Sequence, residues 1–238
     1  MQQYLEDRTT LTRRAPAASR MGQLGRRVLP AGLRPVVRNT ATRLLQKQQR
    51  KKAAEMLASG ISRLHLGCGA THLDGWINID LFGTKADVYL DLRNPLPFED
   101  ASVDAVFHEH LIEHLPYAAA LGFTRECARV LKPGGVLRMA MPDFRRYAES
   151  YLSGQGLIDS KRPNRPTRLL AFSEVFYEHG HLSMWDAETL EALATEAGLE
   201  TFAESAFGTS ILGTIDSPNR ELESLYVEAT KSSTRPAS

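Results

Sequence analysis

The sequence predicts an α/β protein: a mostly parallel sheet covered by helices on both faces, with an antiparallel pair of strands at one edge. Two observations carry this prediction. Short apolar runs typical of strands alternate with helical patterns along most of the chain, and two strand patterns follow one another at its end. Ligands of such sheets bind beyond the carboxyl ends of the strands, near the point where the strand order reverses.

The individual elements follow from apolar periodicity and from the residues that interrupt it. Residues 61–66 form an apolar run before a glycine turn, and Asp186 is placed to cap a helix that Gly198 ends. Residues 153–166 are rich in glycine, proline and charge, and we expect an exposed loop there. The predicted strands are 61–66, 76–80, 86–92, 103–107, 136–141, 201–207 and 222–230, and the predicted helices are 40–57, 111–115, 117–131, 144–152 and 187–197.

Charge is distributed unevenly along the chain. Residues 1–55 contain thirteen lysines and arginines and three acids, whereas the rest contains sixteen and twenty-five, so a basic arm precedes an acidic body. Such an arm suits a peripheral membrane surface or an acidic partner. Because no aromatic residues interleave its charges, nucleic acid is not expected, and a solvated tail followed by a packed helix is the simpler interpretation.

These features divide the chain into three parts. Residues 1–55 are the basic N-terminal arm with its helix, residues 56–231 form the domain, in which 153–185 is a substrate-side insertion, and residues 232–238 are a disordered tail. No apolar run is long enough to span a membrane, and no signal peptide is visible. With only two cysteines, Cys68 and Cys127, we expect a reducing cytoplasm.

Residues suited to a nucleoside-containing ligand follow three successive predicted strands. Gly67 and Gly69 flank Cys68 after the first strand, where glycine lets the backbone approach a ligand closely. Asp80 ends the second strand, where a carboxylate can accept from both hydroxyls of a ribose, and Asp91 ends the third, where it can accept from an adenine amino group. Each residue alone is a weak signal, but their succession is specific.

The segments "LHLGCG", "INIDL", "DLRNPLPFEDASVDAVFHEHLIEHL" and "RVLKPGGVLRMAMPD" together resemble class I S-adenosylmethionine-dependent methyltransferases, and within them the small-molecule group. The resemblance covers residues 61–143. It implies a Rossmann-like sheet of seven strands with the last antiparallel, and S-adenosyl-L-methionine as cofactor. The short link between "LGCG" and "GWINID" is similar to methyltransferases of bacterial sugar and polysaccharide pathways.

The resemblance also assigns cofactor contacts to residues just after the strands. These residues are Gly67, Cys68, Gly69, Asp80, Leu81, Asp91, Leu92, His108 and Glu109. The glycine turn would line the methionine part, and Asp80 would bind the ribose. Leu81, Asp91 and Leu92 would meet the adenine, whereas His108 and Glu109, just past the fourth strand, would lie under the sulfonium and ribose.

Two positions depart from the pattern of the family. His65 stands where an acid is usual, and Thr71 stands where a third glycine is expected. Gly69 and Asp80 are only eleven positions apart, whereas about twenty is common in nucleotide-binding crossovers. The first crossover helix is therefore expected to be short or irregular.

The sequence "HLIEH", residues 110–114, matches the H-x-x-E-H pattern of inverted zinc metallopeptidases. On a helix, His110 and His114 would share a face, as two zinc ligands must. A third ligand is not obvious, although three residues are available: Glu178, His179 and His181. A zinc-dependent hydrolase therefore stays as an alternative, and the simpler interpretation is that Glu113 and His114 orient the strand and helix ends.

Two further alternatives use the same sheet. A nicotinamide dehydrogenase would need a third glycine where His72 stands, and no catalytic Tyr/Lys pair at helical spacing stands out. A non-catalytic module that binds the cofactor, with the basic arm carrying the function, remains open.

Methylation of a hydroxyl needs a base, and histidine is suited to this by its pKa. The segment "FYEHGHLSMWD", residues 176–186, follows the variable loop and would lie over the cofactor in this fold. His181 is the first candidate base and His110 the second, although turn residues bonded to backbone are an equal alternative. Asp143 could orient the acceptor or cap a helix. We expect O-methylation of a small-molecule or glycan-type acceptor.

Overall fold

The computed structural model describes residues 33–177 and 179–233. Its centre is one seven-stranded sheet in the order β3-β2-β1-β4-β5-β7-β6. The first five strands pair in parallel, whereas β7 is antiparallel to both β5 and β6, so the predicted fold class is confirmed. The strands are β1 Arg63–Leu66, β2 Ile77–Asp80, β3 Val88–Tyr89, β4 Val103–Glu109, β5 Leu131–Pro142, β6 Leu199–Ser205 and β7 Ser224–Lys231.

The α-helices lie in the segment before β1, in the connection from β4 to β5, and in the connection from β5 to β6. They are α1 Arg34–Ala58, α2 Tyr117–Val130, α3 Phe144–Ser153, α4 Leu157–Lys161, α5 Arg168–Tyr177 and α6 Ala187–Glu196, with 3-10 helices at Ile112–His114 and Pro218–Arg220. The predicted cap of α6 is confirmed, because Asp186 Oδ1 accepts the N–H of Thr189 at 2.9 Å. Within the described ranges, no helix is long and apolar enough to cross a membrane.

The two faces of the sheet are covered differently. Strand side chains alternate, so that Leu64 and Leu66 lie on one face with α1, α2 and α6, in the main apolar core. On the other face, Trp76 and Ile215 pack with Phe107 in a smaller cluster. Trp76 and Ile215 belong to the β1–β2 and β6–β7 connections, so these two connections contribute to the cover of this face.

Helix α1 is packed on the domain and is not a solvated tail. Ala53 is fully buried in the main core, Thr42 Oγ1 accepts the N–H of Phe82, and Gln49 Oε1 accepts the N–H of Tyr89, both at 2.9 Å. Helix α1 begins at Arg34, before the predicted start at residue 40, because a proline in the first helical turn is compatible with a helix. The domain boundary drawn after residue 55 falls inside α1, and residues 1–32 lie outside the described residues.

Three further elements differ from the prediction. Strand β3 is reduced to Val88–Tyr89, and β5 begins at Leu131, which pairs with Val103. The region expected as a loop contains α4, and α5 follows it. Both helices pack on Tyr147 of α3 in a separate small core, through Ile158 of α4 and through Ala171 and Val175 of α5. The tail residues 234–238 lie outside the described part of the chain.

Replacement of Ala53 by glutamate tests whether α1 belongs to the core. Ala53→Glu would bury an unpaired charge, and we expect the free energy of unfolding to fall by roughly 3 kcal/mol or more. Ala54→Glu is the matched control: Ala54 is exposed on the next helical position, and we expect a change of no more than about 0.5 kcal/mol. Urea unfolding of both variants at equal m-value measures the difference, and equal small effects would show that α1 does not pack as core.

Candidate functional site

The structure brings the predicted glycine turn and the predicted acid of β2 together at one edge of the sheet. Gly67 directly follows β1, Asp80 is the last residue of β2, and Glu109 is the last residue of β4. Because these strands are parallel and adjacent, their carboxyl ends meet at the same edge. This is the edge at which ligands of such sheets bind.

The glycine turn folds over the end of β2. Gly67 and Gly69 have φ values of +70° and +56°, in the region that favours glycine. The N–H groups of Gly67 and Cys68 both donate to the carbonyl of Ile79, at 2.8 and 3.2 Å. The side chain of Cys68 is buried, and burial raises the pKa of its thiol, so the cysteine is uncharged and the turn offers backbone rather than a nucleophile.

Asp80 is held by the backbone and still has room to accept. Its Oδ2 accepts the N–H of Gly69 at 2.7 Å, and its Oδ1 accepts the N–H of Leu81 at 2.6 Å. Burial raises the pKa of Asp80, and the two hydrogen bonds together with the charge of Arg38 offset part of that rise. A carboxylate has about four acceptor positions, so each oxygen keeps one, and the pair can accept from two neighbouring hydroxyls.

Asp91 follows β3 as expected, and both of its oxygens accept hydrogen bonds from Arg93. The guanidinium of Arg93 donates from Nε to Oδ1 at 2.8 Å and from Nη2 to Oδ2 at 2.6 Å. This hydrogen-bonded ion pair lowers the pKa of Asp91. Oδ1 also accepts the N–H of Arg93 at 3.1 Å, whereas Oδ2 accepts one hydrogen bond and keeps an acceptor position; Leu92 packs against the main core.

His108 does not lie past the end of the fourth strand as expected, and its contact with the cofactor stays a prediction. Strand β4 extends to Glu109, so His108 is inside the strand, fully buried, with its ring 5.4 Å from the ring of Phe123 in α2. Burial lowers its pKa to about 4, and it is neutral. Glu109 is at the strand end, where its Oε1 accepts the N–H of Ser217 at 3.1 Å.

The expectation of a short or irregular first crossover is confirmed, since residues 67–76 contain no helix. His65, which replaces the usual acid, stacks on Phe107 at 5.1 Å and lies with Nδ1 3.0 Å from Asn78 Oδ1. Burial lowers the pKa of His65 to about 4, so a neutral ring stands where the family has a charge. Thr71, at the missing glycine, closes a turn through its N–H and the carbonyl of Cys68 at 2.9 Å.

A second cluster lies beyond the ends of β4 and β5, around the buried carboxylate of Glu113. His181, the predicted base, has Nδ1 within hydrogen-bond distance of the carbonyl of Val175, and its Nε2 is 3.9 Å from Glu113 Oε1. The ring of His114 lies 4.9 Å from the ring of His181. A carbonyl only accepts, so Nδ1 of His181 carries the proton and the lone pair of Nε2 faces Glu113.

His110 and Asp143, the other predicted catalytic residues, have structural contacts. His110 has φ +50°, unusual for a residue with a side chain, and its ring joins Ser224 Oγ at 2.8 Å and Glu113 Oε1 at 3.3 Å. Asp143 is the N-cap of α3, where its Oδ1 accepts the N–H of Arg146 at 3.2 Å and its Oδ2 pairs with the guanidinium. The helix-cap alternative for Asp143 is therefore the one that the structure favours.

The ligand pair needed by the zinc-hydrolase alternative is not formed. Only Ile112–His114 is helical, as a single 3-10 turn, so His110 and His114 do not share a helical face. His179 is exposed, and Glu178 lies outside the described residues. The sequence alone did not single out Glu113 as the centre of the cluster, because its neighbour His181 is distant along the chain.

Position 67 favours glycine for two reasons, its positive φ and the close approach of Leu111. A Cβ at this position would lie 2.9 Å from Leu111 Cδ1, whereas a Cβ at Gly75, φ +77°, would meet nothing within 4 Å. We expect Gly67→Ala to lower the free energy of unfolding clearly more than Gly75→Ala does. At Gly75 the backbone strain alone should cost about 1 kcal/mol. Thermal unfolding measures both, and the double variant Gly67→Ala/Leu111→Ala should recover part of the excess relative to Leu111→Ala. Equal costs would show that Leu111 does not close over the turn.

Comparison with known proteins points to one kind of domain. Residues 82–139 match a family model described as a methyltransferase domain. A probable S-adenosylmethionine-dependent methyltransferase of Mycolicibacterium smegmatis is 50% identical over 48 residues, which span 20% of this chain and only 18% of the relative. The glycine turn and Asp80 precede the residues of the family match, so their role is supported by geometry rather than by that match.

Two solved structures are similar at low identity. A SAM-dependent methyltransferase from Archaeoglobus fulgidus is 16% identical with a TM-score of 0.45, over 82% of this chain and 94% of that one. Phosphoethanolamine N-methyltransferase 2 of Haemonchus contortus, in complex with S-adenosyl-L-methionine, is 16% identical with a TM-score of 0.44, over 71% of this chain and 48% of that one.

Proposed function

We propose that this protein is an S-adenosylmethionine-dependent methyltransferase that methylates a small-molecule or glycan-type acceptor at oxygen. The observation that carries the proposal is Asp80, whose two oxygens are each fixed by one backbone N–H beside the glycine turn and each keep one acceptor position. This donor set fits the vicinal hydroxyls of a ribose. The methyltransferase-domain match of residues 82–139 supports the same activity.

The residues assigned to the cofactor divide its parts among them. The backbone of residues 67–69 would line the methionine part, Asp80 would hold the ribose, and Leu81 would pack on the adenine. Asp91 and Leu92 would meet the adenine edge and ring, with Asp91 still paired to Arg93. Glu109 lies at the end of β4 on the same edge and would lie under the sulfonium and ribose, whereas His108 is buried inside the strand.

The bound cofactor would supply a methyl group already activated on a sulfonium, so the chain needs to align the acceptor and exclude water. The cavity beside the Glu113 cluster is nearly closed, with room for about one water molecule, so an acceptor would have to widen it. Its apolar lining consists of Pro142, Phe144, Val175, Phe176, Met184 and Trp185. His181 Nε2 is placed to take the proton from an acceptor hydroxyl, since Nδ1 is committed to the carbonyl of Val175.

Partners and location follow the charge of the chain. We propose that the basic residues 1–55 contact an acidic partner or a membrane surface, and that the protein works in the cytoplasm. The part of the arm within α1 carries exposed Lys51 and Lys52 on the packed helix, which makes the helix itself part of such a surface.

Calorimetry with S-adenosylhomocysteine tests the cofactor assignment. We expect the wild-type protein to bind, and Asp80→Asn to weaken binding by roughly 100-fold, because two hydrogen bonds to a charged acceptor are lost or reversed. Asp74→Asn, on an exposed residue of the same connection, is the control and should leave the affinity unchanged. No binding at millimolar ligand by a folded wild-type protein would exclude the proposed function.

A methyl-transfer screen detected by mass tests the base. With an acceptor found, we expect His181→Asn to slow transfer by roughly 100-fold while S-adenosylhomocysteine affinity stays unchanged. His179→Asn, at an exposed histidine nearby, is the matched control and should transfer at the wild-type rate. Unchanged transfer in His181→Asn would show that another group accepts the proton.

A further inference from the structure

We propose that Glu113, His114 and His181 form a binding site for one first-row divalent transition-metal ion. Each residue offers one ligand atom, and these atoms all lie within 4.8 Å of one another. One carboxylate oxygen and two imidazole nitrogens are a donor set found in zinc enzymes and in other sites for this class of metal. The set differs from the His110 and His114 pair that the sequence pattern indicates.

Histidines surround the buried carboxylate of Glu113, but none of them forms a well-aligned hydrogen bond with it. Its side chain is 2% exposed, and neither oxygen has a hydrogen-bond partner among the described residues. The nearest cationic candidate, Nδ1 of His110, lies 3.3 Å from Oε1 without the alignment of a hydrogen bond. Burying a carboxylate in this way is costly unless a cation compensates it, and a metal ion supplies that cation.

His181 is oriented as a metal ligand would be. Its Nδ1–H points to the carbonyl of Val175, a contact that fixes ring orientation and tautomer in many metal sites. The lone pair of Nε2 then faces Glu113 Oε1 at 3.9 Å, so two hydrogen-bond acceptors lie opposite each other with no proton between them. Ligand atoms at about 2.0–2.2 Å from zinc in tetrahedral geometry lie roughly 3.4 Å apart, which a small side-chain rotation would reach.

The backbone holds the two ligand-bearing segments against each other. Glu113 and His114 are consecutive residues of the 3-10 helix Ile112–His114. The carbonyl of Glu113 accepts the N–H of Leu182 at 2.7 Å and that of Ser183 at 3.2 Å, directly after His181. The ligands are therefore positioned by main-chain contacts before any ion arrives, which lowers the cost of forming the site.

Three protein ligands leave positions for an oxygen ligand from the cavity that Glu113 and His181 line. A hydroxyl bound there would have a lowered pKa, and a carboxylate or hydroxyl acceptor is the class of molecule that fits. This role rests on the proposed function and would make His181 a ligand rather than the base. Metal binding itself does not depend on methyl transfer.

Co²⁺ binding to the full-length chain, purified without a metal-affinity tag and stripped with a chelator, tests the site. We expect one Co²⁺ per chain, with visible absorption bands that Zn²⁺ abolishes by displacement. Glu113→Gln, His114→Asn and His181→Asn should each weaken Co²⁺ binding by roughly 100-fold, whereas His179→Asn should bind as the wild type does. Circular dichroism of each variant checks that it is folded.

A wild-type chain that binds no Co²⁺ or Zn²⁺ stoichiometrically at micromolar concentration would overturn the proposal. Equal Co²⁺ affinity in the wild type, Glu113→Gln and His181→Asn would overturn it as well, since the ion would then lie elsewhere. A second measurement is independent of variant folding: saturating Zn²⁺ should raise the Tm of the wild-type chain by several degrees. S-Adenosylhomocysteine calorimetry on the metal-free chain reports separately on the proposed function.

Discussion

The connection between β1 and β2 depends on the fully buried side chain of Asn78. Its amide accepts the N–H of Leu73, donates to the carbonyls of Leu73 and Trp76, and contacts Asp87. Without a helix in this connection, its backbone groups need such partners, and Asn78 supplies them. These bonds hold the connection compact. Asp80, just after it in β2, therefore lies against the glycine turn at its beginning.

The same sheet edge carries two clusters of different chemistry. On the β1–β2 side, backbone N–H groups orient one carboxylate, which suits a ligand rich in hydroxyls. Beyond β4, the left-handed conformation of His110 turns the chain so that Glu113 is buried next to His181. A transfer reaction needs a donor site and an acceptor site that are both organised in advance, and in the function that we propose the first cluster would hold the donor and the second the acceptor.

Features of the site that depend on strand order could be predicted from the sequence, whereas contacts between segments distant along the chain could not. The proximity of Gly69 and Asp80 follows from parallel strands ending at one edge. The burial of His108 inside β4 was not predicted, because the strand extends two residues beyond the apolar segment that indicated it. The packing of α1 on the domain was expected, but its start at Arg34 and the burial of Ala53 carry no signal of their own in a basic segment. The contact of Glu113 with His181 joins segments that no spacing rule connects.

A crystal structure with S-adenosylhomocysteine tests the central claim most directly, that this edge holds the cofactor through Asp80. We expect both ribose hydroxyls within hydrogen-bond distance of the Asp80 oxygens, with the amino-acid part over residues 67–69. Electron density for the nucleoside away from Asp80, or a fully loaded crystal in which Asp80 contacts only Gly69 and Leu81, would contradict it.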